Sequence, residues 1–347
     1  MKKSNFNIIV IFIAIAFVAT ILLNILFNFL ATTLEGIEER IPPEVLVLDK
    51  VFTFTNALFL GIGISLIVVM FICRMLKPLL VLLLYFVVQA FCSMLLPLFV
   101  DLSAGTSSPG FAAAMSWTLI VSSVLIVIVL HAVKLIDVTR PLGMGLKMRG
   151  TVLSVIAVIF LMFASNLLTE WMQLDNLMAE EFIAMATTIP GALAIGVIGP
   201  IAEEYMFREG IQGSMLRQGV TPWLACVFSA MVFGLVHGNP AQIPFAFLVG
   251  LVFAVVYMRT RSIIPVSICH IINNSHAVIL MNIYSDRPDI GFKDIIGSET
   301  IMYVSFGLAL VVGLLMLVVS GRDNKTVKNE RSDHGLHRFN LINPCDL

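Results

Sequence analysis

The segment PIAEEYMFREG places Glu203, Glu204 and Arg208 in the middle of a strongly apolar sequence. On a helix, Glu204 and Arg208 lie on one face with the acid first, which is the favourable order for an ion pair. Glu203 lies about 100° further round the helix and has no such partner. Because a charge at the bilayer centre costs a few kcal/mol, charges this close together must pair or face a cavity. We therefore expect a structural Glu204–Arg208 ion pair and a separate, reactive Glu203; a short solvated helix at the membrane boundary is the alternative.

Two further clusters carry ionisable or amide side chains in apolar surroundings. FGLVHG contains His237, and HIINN contains His270 and Asn274, which are four residues apart and share a helical face. Measured from the predicted cytoplasmic helix ends at about 1.5 Å per residue, these three residues and Glu203 fall in one slab less than about 10 Å thick. The hydrocarbon core is about 30 Å thick. The shared depth indicates a single site.

A glutamate, two histidines and an asparagine in a water-accessible cavity suit peptide hydrolysis. That reaction needs an activated water, a group that stabilises the oxyanion and a proton for the leaving amine. Glu203 suits the base, and the face with His270 and Asn274 suits the oxyanion. Alternatively, His237, His270 and a carboxylate supply enough ligands for zinc with an open water position. No HExxH motif occurs in the sequence, and the residues alone leave both chemistries open.

The three clusters, in this order, resemble the motifs EExxxR, FxxxH and HxxxN of the CAAX-protease and bacteriocin-processing (CPBP, or Abi) intramembrane proteases. That family includes the type II CAAX prenyl endopeptidase. The resemblance covers about residues 190–280. The matching segments are EEYMFR at 203–208, FGLVH at 233–237 and HIINN at 270–274.

The resemblance implies a role for each of these side chains. Glu203 and His237 would activate water, and His270 and Asn274 would stabilise the oxyanion or bind metal. Glu204 and Arg208 would be structural. His237 and His270 would hold the metal, either zinc or another divalent ion, and a metal-free glutamate mechanism is equally open. The implied enzyme is a CPBP-type intramembrane peptidase of the metallo or glutamate type.

The composition predicts the elements that must position these residues. The 347 residues are 59% hydrophobic and 12% charged, whereas soluble domains are about 25% charged. We expect an all-α, polytopic transmembrane bundle in the lipid bilayer, with no nucleic-acid partner because no basic stripe occurs. Five scattered cysteines without CxxC spacing argue against a disulfide framework. Apolar runs predict about ten spans, near 7–31, 52–73, 79–100, 112–133, 151–172, 182–202, 222–237, 241–258, 263–283 and 300–320.

Charge and composition also divide the chain. Basic and acidic connectors alternate, so the positive-inside rule predicts a multi-pass cell-membrane protein with both termini in the cytoplasm. The spans before about residue 180 hold few polar groups, and the ionisable residues gather after it. The predicted parts are an N-terminal scaffold of about five spans (1–180), a protease core (181–283), a last span (284–320) and a cytoplasmic tail (321–347).

The leading hypothesis is an intramembrane endopeptidase that acts on a peptide or a membrane-anchored protein. The alternative is a non-catalytic immunity or regulatory partner that uses the same fold, which the long N-terminal half would suit. A secondary transporter, in which Glu203 and the histidines relay protons, is a third hypothesis. Proline-interrupted spans would suit a transporter, but the two halves show no repeat.

Overall fold

The computed structural model describes residues 11, 13–18, 61–68, 70, 75–96, 109–139, 148–172, 174, 176–287 and 290–333. These residues form helices, turns and loops and contain no strand, so the predicted all-α class is confirmed. Helical residues at 11–18 and 61–70 come first in the chain. The helices that follow are α1 Leu76–Leu95, α2 Pro109–Ala132, α3 Met148–Glu170, α4 Ala179–Ala186, α5 Ile189–Arg217, α6 Pro222–Leu235, α7 Gln242–Thr260, α8 Ile264–Ile283, α9 Phe292–Ile296 and α10 Glu299–Asp333.

Six helices of the described part are long and apolar enough to cross a membrane, namely α1, α2, α3, α7, α8 and α10. A seventh span results if α4 and α5, which are bent by 107°, cross together. The chain is therefore a multi-pass membrane protein, but the expected ten spans are too many for the described residues. The cytoplasmic location of both termini stays a prediction.

The surplus of predicted spans over those in the described residues has two physical sources. The apolar run at 182–202 is interrupted by the bend, and the run at 222–237 forms a helix of 14 residues, about 21 Å long, too short to cross alone. The hydropathy of a segment measures only how favourably it leaves water. A helix buried against other helices is as apolar as a helix in lipid, so counting apolar runs overestimates the number of spans. The predicted spans 7–31 and 52–73 lie largely outside the described residues.

Local sequence explains the bend before α5. Thr188 has an extended backbone, and its side-chain oxygen accepts a hydrogen bond of 3.0 Å from the Gly191 N–H. Pro190 follows in the first turn of the helix. A backbone N–H at this position has no intrahelical acceptor, so proline costs the helix no hydrogen bond here. Together these residues begin a new helix in a new direction.

Helix α5 contains two π-helical stretches, Ala194–Ile198 and Tyr205–Gly213. They flank the α-helical segment Gly199–Glu204. Because a π-helical turn takes in more residues than an α-helical one, it changes which side chains share a face, and such turns are frequent at functional sites. All residues from Met206 to Gly213 are buried, so α5 is the central helix of the site.

The N-terminal half packs directly against this region. Ile62, Leu66 and Met70 belong to the same buried apolar cluster as residues of α1, α5 and α6. Helices α6 and α7 meet closely at Gly234, where an added Cβ would lie 2.8 Å from the Ile243 carbonyl oxygen. The division of the chain near residue 180 stays a prediction.

Candidate active site

The Glu204–Arg208 ion pair expected from helix spacing is present in α5. Arg208 Nε lies 2.9 Å from Glu204 Oε2, and both side chains are completely buried. Arg208 Nη1 also donates to Ser229 Oγ at 3.1 Å. The guanidinium lies 5.1 Å from the ring centroid of Phe233 and 5.8 Å from that of Phe253, which is cation–π range. The pair is thus enclosed by aromatic rings and fixed by its own helix.

His270 of α8 contacts both carboxylates. Its Nδ1 lies 2.9 Å from Glu204 Oε1, and its Nε2 lies 3.6 Å from Glu203 Oε2. Since an ionised carboxylate only accepts hydrogen bonds, Nδ1 carries the proton and Nε2 faces Glu203. His270 is 5% exposed. Sequence reasoning placed His270 and Glu203 at one depth but missed the contact between His270 and Glu204.

Glu203 differs from Glu204 in its surroundings. Its Oε2 atom is buried and has no hydrogen-bond partner among the described residues, because 3.6 Å to His270 is too long for one. The side chain as a whole is 32% exposed. Glu203 therefore reaches an open side while one oxygen points at an imidazole, which is an arrangement suited to a general base.

His237 lies on the turn that follows α6. Its Nδ1 is 2.7 Å from the Phe233 carbonyl oxygen, so Nδ1 donates and Nε2 of the neutral ring is left as an acceptor. Gly238 then takes a left-handed conformation with φ of 64°, which glycine adopts without steric strain. The helix end thereby fixes the tautomer of His237.

Asn239 anchors the same turn on its other side. The residue is 1% exposed; its Nδ2 donates to Asn176 Oδ1 at 2.7 Å, and its Oδ1 accepts from the Leu177 N–H at 3.3 Å. The sequence Gly238-Asn239-Pro240 already predicts a turn at this place, with Asn239 as part of it. The turn that carries His237 is thus tied to the chain segment before α4.

Phe233 links the two histidines. Its ring centroid lies 5.0 Å from that of His237 and 5.8 Å from that of His270, in both cases edge to face. The same ring contacts Phe207 at 5.0 Å. The structure therefore gathers Glu203, His270 and, through Phe233, His237 into one region.

Asn274 tethers α8 to α5. Its Nδ2 donates to the Ile195 carbonyl at 3.0 Å. In this π-helical stretch the N–H of Gly199 bonds to Ala194, so the next donor in the series would come from Pro200, which has no N–H. Asn274 supplies the hydrogen bond that this proline lacks. One amide hydrogen is thereby occupied, and the oxyanion role of Asn274 stays a prediction.

The side chains of this region are poorly arranged for a metal ion. Within the described residues, no three His, Cys, Asp or Glu side chains are grouped so that they could hold a metal ion. The Nδ1 atoms of His237 and His270 already bond to a carbonyl and a carboxylate. A catalytic zinc takes three protein ligands and a water, so this arrangement does not fit one. Zinc or another divalent ion at His237 and His270 stays a prediction.

Part of the chain is similar to one known protein family. Residues 185–276 match the family described as type II CAAX prenyl endopeptidase Rce1-like. The chain is 31% identical over 106 residues to the membrane-embedded CAAX protease MroQ of Staphylococcus aureus (strain USA300), covering 29% of this chain and 43% of the relative. It is 31% identical over 84 residues to the putative membrane peptidase YdiL of Bacillus subtilis (strain 168), covering 24% and 34%.

These matches have a limited extent. The chain spans less than half the length of either curated relative it matches, and no solved structure matches it. The matched segment contains all three motifs and the ion pair of α5. The resemblance that those motifs indicated is thus confirmed: residues 185–276 match the type II CAAX prenyl endopeptidase Rce1-like family.

Proposed function

We propose that the protein is an intramembrane endopeptidase that hydrolyses a peptide bond in a membrane-associated protein or peptide. The observation that carries the proposal is the buried, unpaired Oε2 of Glu203 beside Nε2 of His270. The relatives named as a CAAX protease and a putative membrane peptidase support the reaction class. The six apolar helices of the described residues support a site within the membrane.

Charge balance favours the roles of the two glutamates. Glu204 and Arg208 are both fully buried and cancel one another. Glu204 also accepts from Nδ1 of His270 and so fixes the imidazole, whereas Glu203 has no ion pair of this kind and is the carboxylate left to take a proton. Both ring nitrogens of His270 act as donors in this mechanism, Nδ1–H to Glu204 and Nε2–H to the oxyanion, which requires the imidazolium form.

In the proposed reaction, Glu203 and Nε2 of His237 orient a water molecule as hydrogen-bond acceptors. Glu203 takes one proton from the water while the water oxygen bonds to the scissile carbonyl carbon. The His270 Nε2–H and the second amide hydrogen of Asn274 donate to the resulting oxyanion. When the C–N bond breaks, Glu203 passes its proton to the leaving amine. The hydroxyl remains on the new carboxyl group.

The test compares Glu203→Gln with the wild type in lipid nanodiscs, using a randomised peptide library and mass spectrometry of the products. Glutamine has nearly the same shape but cannot take the proton, so cleavage should fall by about 10²- to 10⁴-fold. Glu180→Gln is the matched control, since it makes the same change at an exposed carboxylate in the first turn of α4.

Two results would contradict this mechanism. Undiminished cleavage by Glu203→Gln would remove Glu203 from the reaction. Absence of cleavage by the wild-type protein across the library, with the protein correctly inserted and folded, would favour the non-catalytic partner over the peptidase. Thermal unfolding of each variant shows whether any loss of cleavage is a loss of folding.

A further inference from the structure

An apolar pocket of about 480 Å³ lies beside the turn that carries His237. Val236 and Gly238, the neighbours of His237 in the chain, both line it. Phe86 of α1 and Leu177 form further parts of the wall, and every described residue that lines the pocket is apolar. Its volume lies within the range of about 300–1,000 Å³ that is common for ligand sites. The pocket is therefore large enough for a leucine or phenylalanine side chain.

One wall of this pocket comes from the N-terminal half of the chain. Gly63 and Ile67 line it, and an added Cβ at Gly63 would lie 4.0 Å from Leu235 Cδ1 of α6. Ile62 and Leu66 are 7% and 2% exposed, so this helical piece is held in place by buried side chains. Residues 61–70 precede the segment 185–276 that matches the protease family.

We propose that this pocket receives an apolar side chain of the substrate polypeptide next to the scissile bond, and that Gly63 and Ile67 set its size. The inference rests on the proposed function. A polypeptide is favoured because the pocket borders the turn that carries His237, which the proposed mechanism places beside the scissile bond, so a side chain close to that bond is the part of a substrate that can enter it. The N-terminal half then determines which peptides are selected, whereas the segment 185–276 performs the reaction.

The first experiment measures binding without cleavage. Full-length Glu203→Gln protein in nanodiscs is irradiated with decapeptide libraries that carry one photoreactive leucine at a fixed position, and crosslinks are mapped by mass spectrometry. We expect one position to label residues 63–67 or 232–243. Adding Gly63→Leu, which fills the pocket, should reduce this labelling at least tenfold. Gly61→Leu is the control, because Gly61 is exposed, has no described atom within 4 Å and does not line the pocket.

The second experiment uses peptides that differ only in the side chain at the labelled position. For the wild type, kcat/KM for leucine should exceed that for alanine by at least about 10-fold, the lower end of the effect of a single methylene in a hydrophobic pocket. Gly63→Leu should reduce this ratio, and Ile67→Ala, which enlarges the pocket, should shift the preference towards phenylalanine. Gly61→Leu should leave both the ratio and the rates unchanged.

Several outcomes would overturn the proposal. They are peptide labelling that Gly63→Leu does not reduce, peptide labelling outside the pocket, and labelling of the pocket by a photoreactive fatty acid but by no peptide. If Gly63→Leu does not fold, Ile67→Ala is the deciding variant. A shift of its side-chain preference towards phenylalanine supports the proposal, and an unchanged preference overturns it. Because crosslinking needs no turnover, a protein that binds peptides in the pocket and cuts none would contradict the proposed function and leave the pocket assignment standing.

Discussion

The buried ion pair in α5 gives a prediction whose size follows from the structure. Arg208→Met removes the cation that pairs with Glu204 on α5, and the Glu204 carboxylate is completely buried. It also removes the hydrogen bond to Ser229 and the contacts with two aromatic rings. Breaking a buried pair by removing one partner costs about 3–5 kcal/mol. We expect the free energy of unfolding to fall by that amount.

A double-mutant cycle separates the pair from packing. Glu204→Gln alone leaves the guanidinium buried without its carboxylate, so its cost should be of similar size. The double variant leaves no unpaired charge of this pair, and it should lose less stability than the two single variants together by about 2 kcal/mol or more. The assay is unfolding in mixed detergent micelles, followed by the fluorescence of the three tryptophans.

The control is Arg287→Met, at an exposed arginine, which should change the free energy of unfolding by less than about 0.5 kcal/mol. If the effects of Arg208→Met and Glu204→Gln add to within about 0.5 kcal/mol, the two side chains do not stabilise one another. The charge balance used for the mechanism would then be wrong.

Three further predictions concern the same site. Asn239→Leu removes both hydrogen bonds that anchor the His237 turn, so it should lower the free energy of unfolding by about 1–3 kcal/mol. It should also lower kcat more than it raises KM, and a kcat equal to that of the wild type would contradict the anchoring role. Gly250→Ala places a Cβ 2.8 Å from the Phe233 ring, so it should displace that ring and reduce cleavage in kinetic assays more than it changes the unfolding midpoint. The proposed mechanism uses no metal, so cleavage should persist with chelator; chelator-sensitive cleavage that zinc restores would refute that mechanism and support the predicted metal at His237 and His270.

The sequence was informative where the geometry is local. The Glu204–Arg208 pair follows from the repeat of a single helix and needs no tertiary structure. The apolar composition likewise predicts the all-α membrane class, since only helices or closed barrels satisfy backbone hydrogen bonds in lipid. The common depth of the four polar residues also came from helix rise alone, and the structure places Glu203 and His270 in contact.

Contacts between helices could not be read in the same way. The bridge from His270 to both glutamates depends on how α8 packs against α5, and the central position of Phe233 depends on three helices at once. Pro200 gives a partial signal, because in an α-helix it leaves the Gly196 carbonyl without its i→i−4 donor and so predicts an outside donor nearby. The π-helical register moves the unpaired carbonyl to Ile195, which Asn274 pairs, and that register cannot be read from the sequence.

The spacing within EExxxR also has a consequence for biosynthesis. An arginine or a carboxylate entering the bilayer centre alone costs about 2.5–3.5 kcal/mol on insertion scales. Because Glu204 and Arg208 stand one turn apart on α5, their charges can cancel as soon as that helix forms, before any other helix arrives. Glu203 has no intrahelical cation of this kind, and its neighbour His270 lies on α8, which the ribosome makes later. Glu203, the proposed general base, therefore contacts the His270 imidazole only when the fold is nearly complete. The nascent chain cannot form the proposed site before α8 has been inserted.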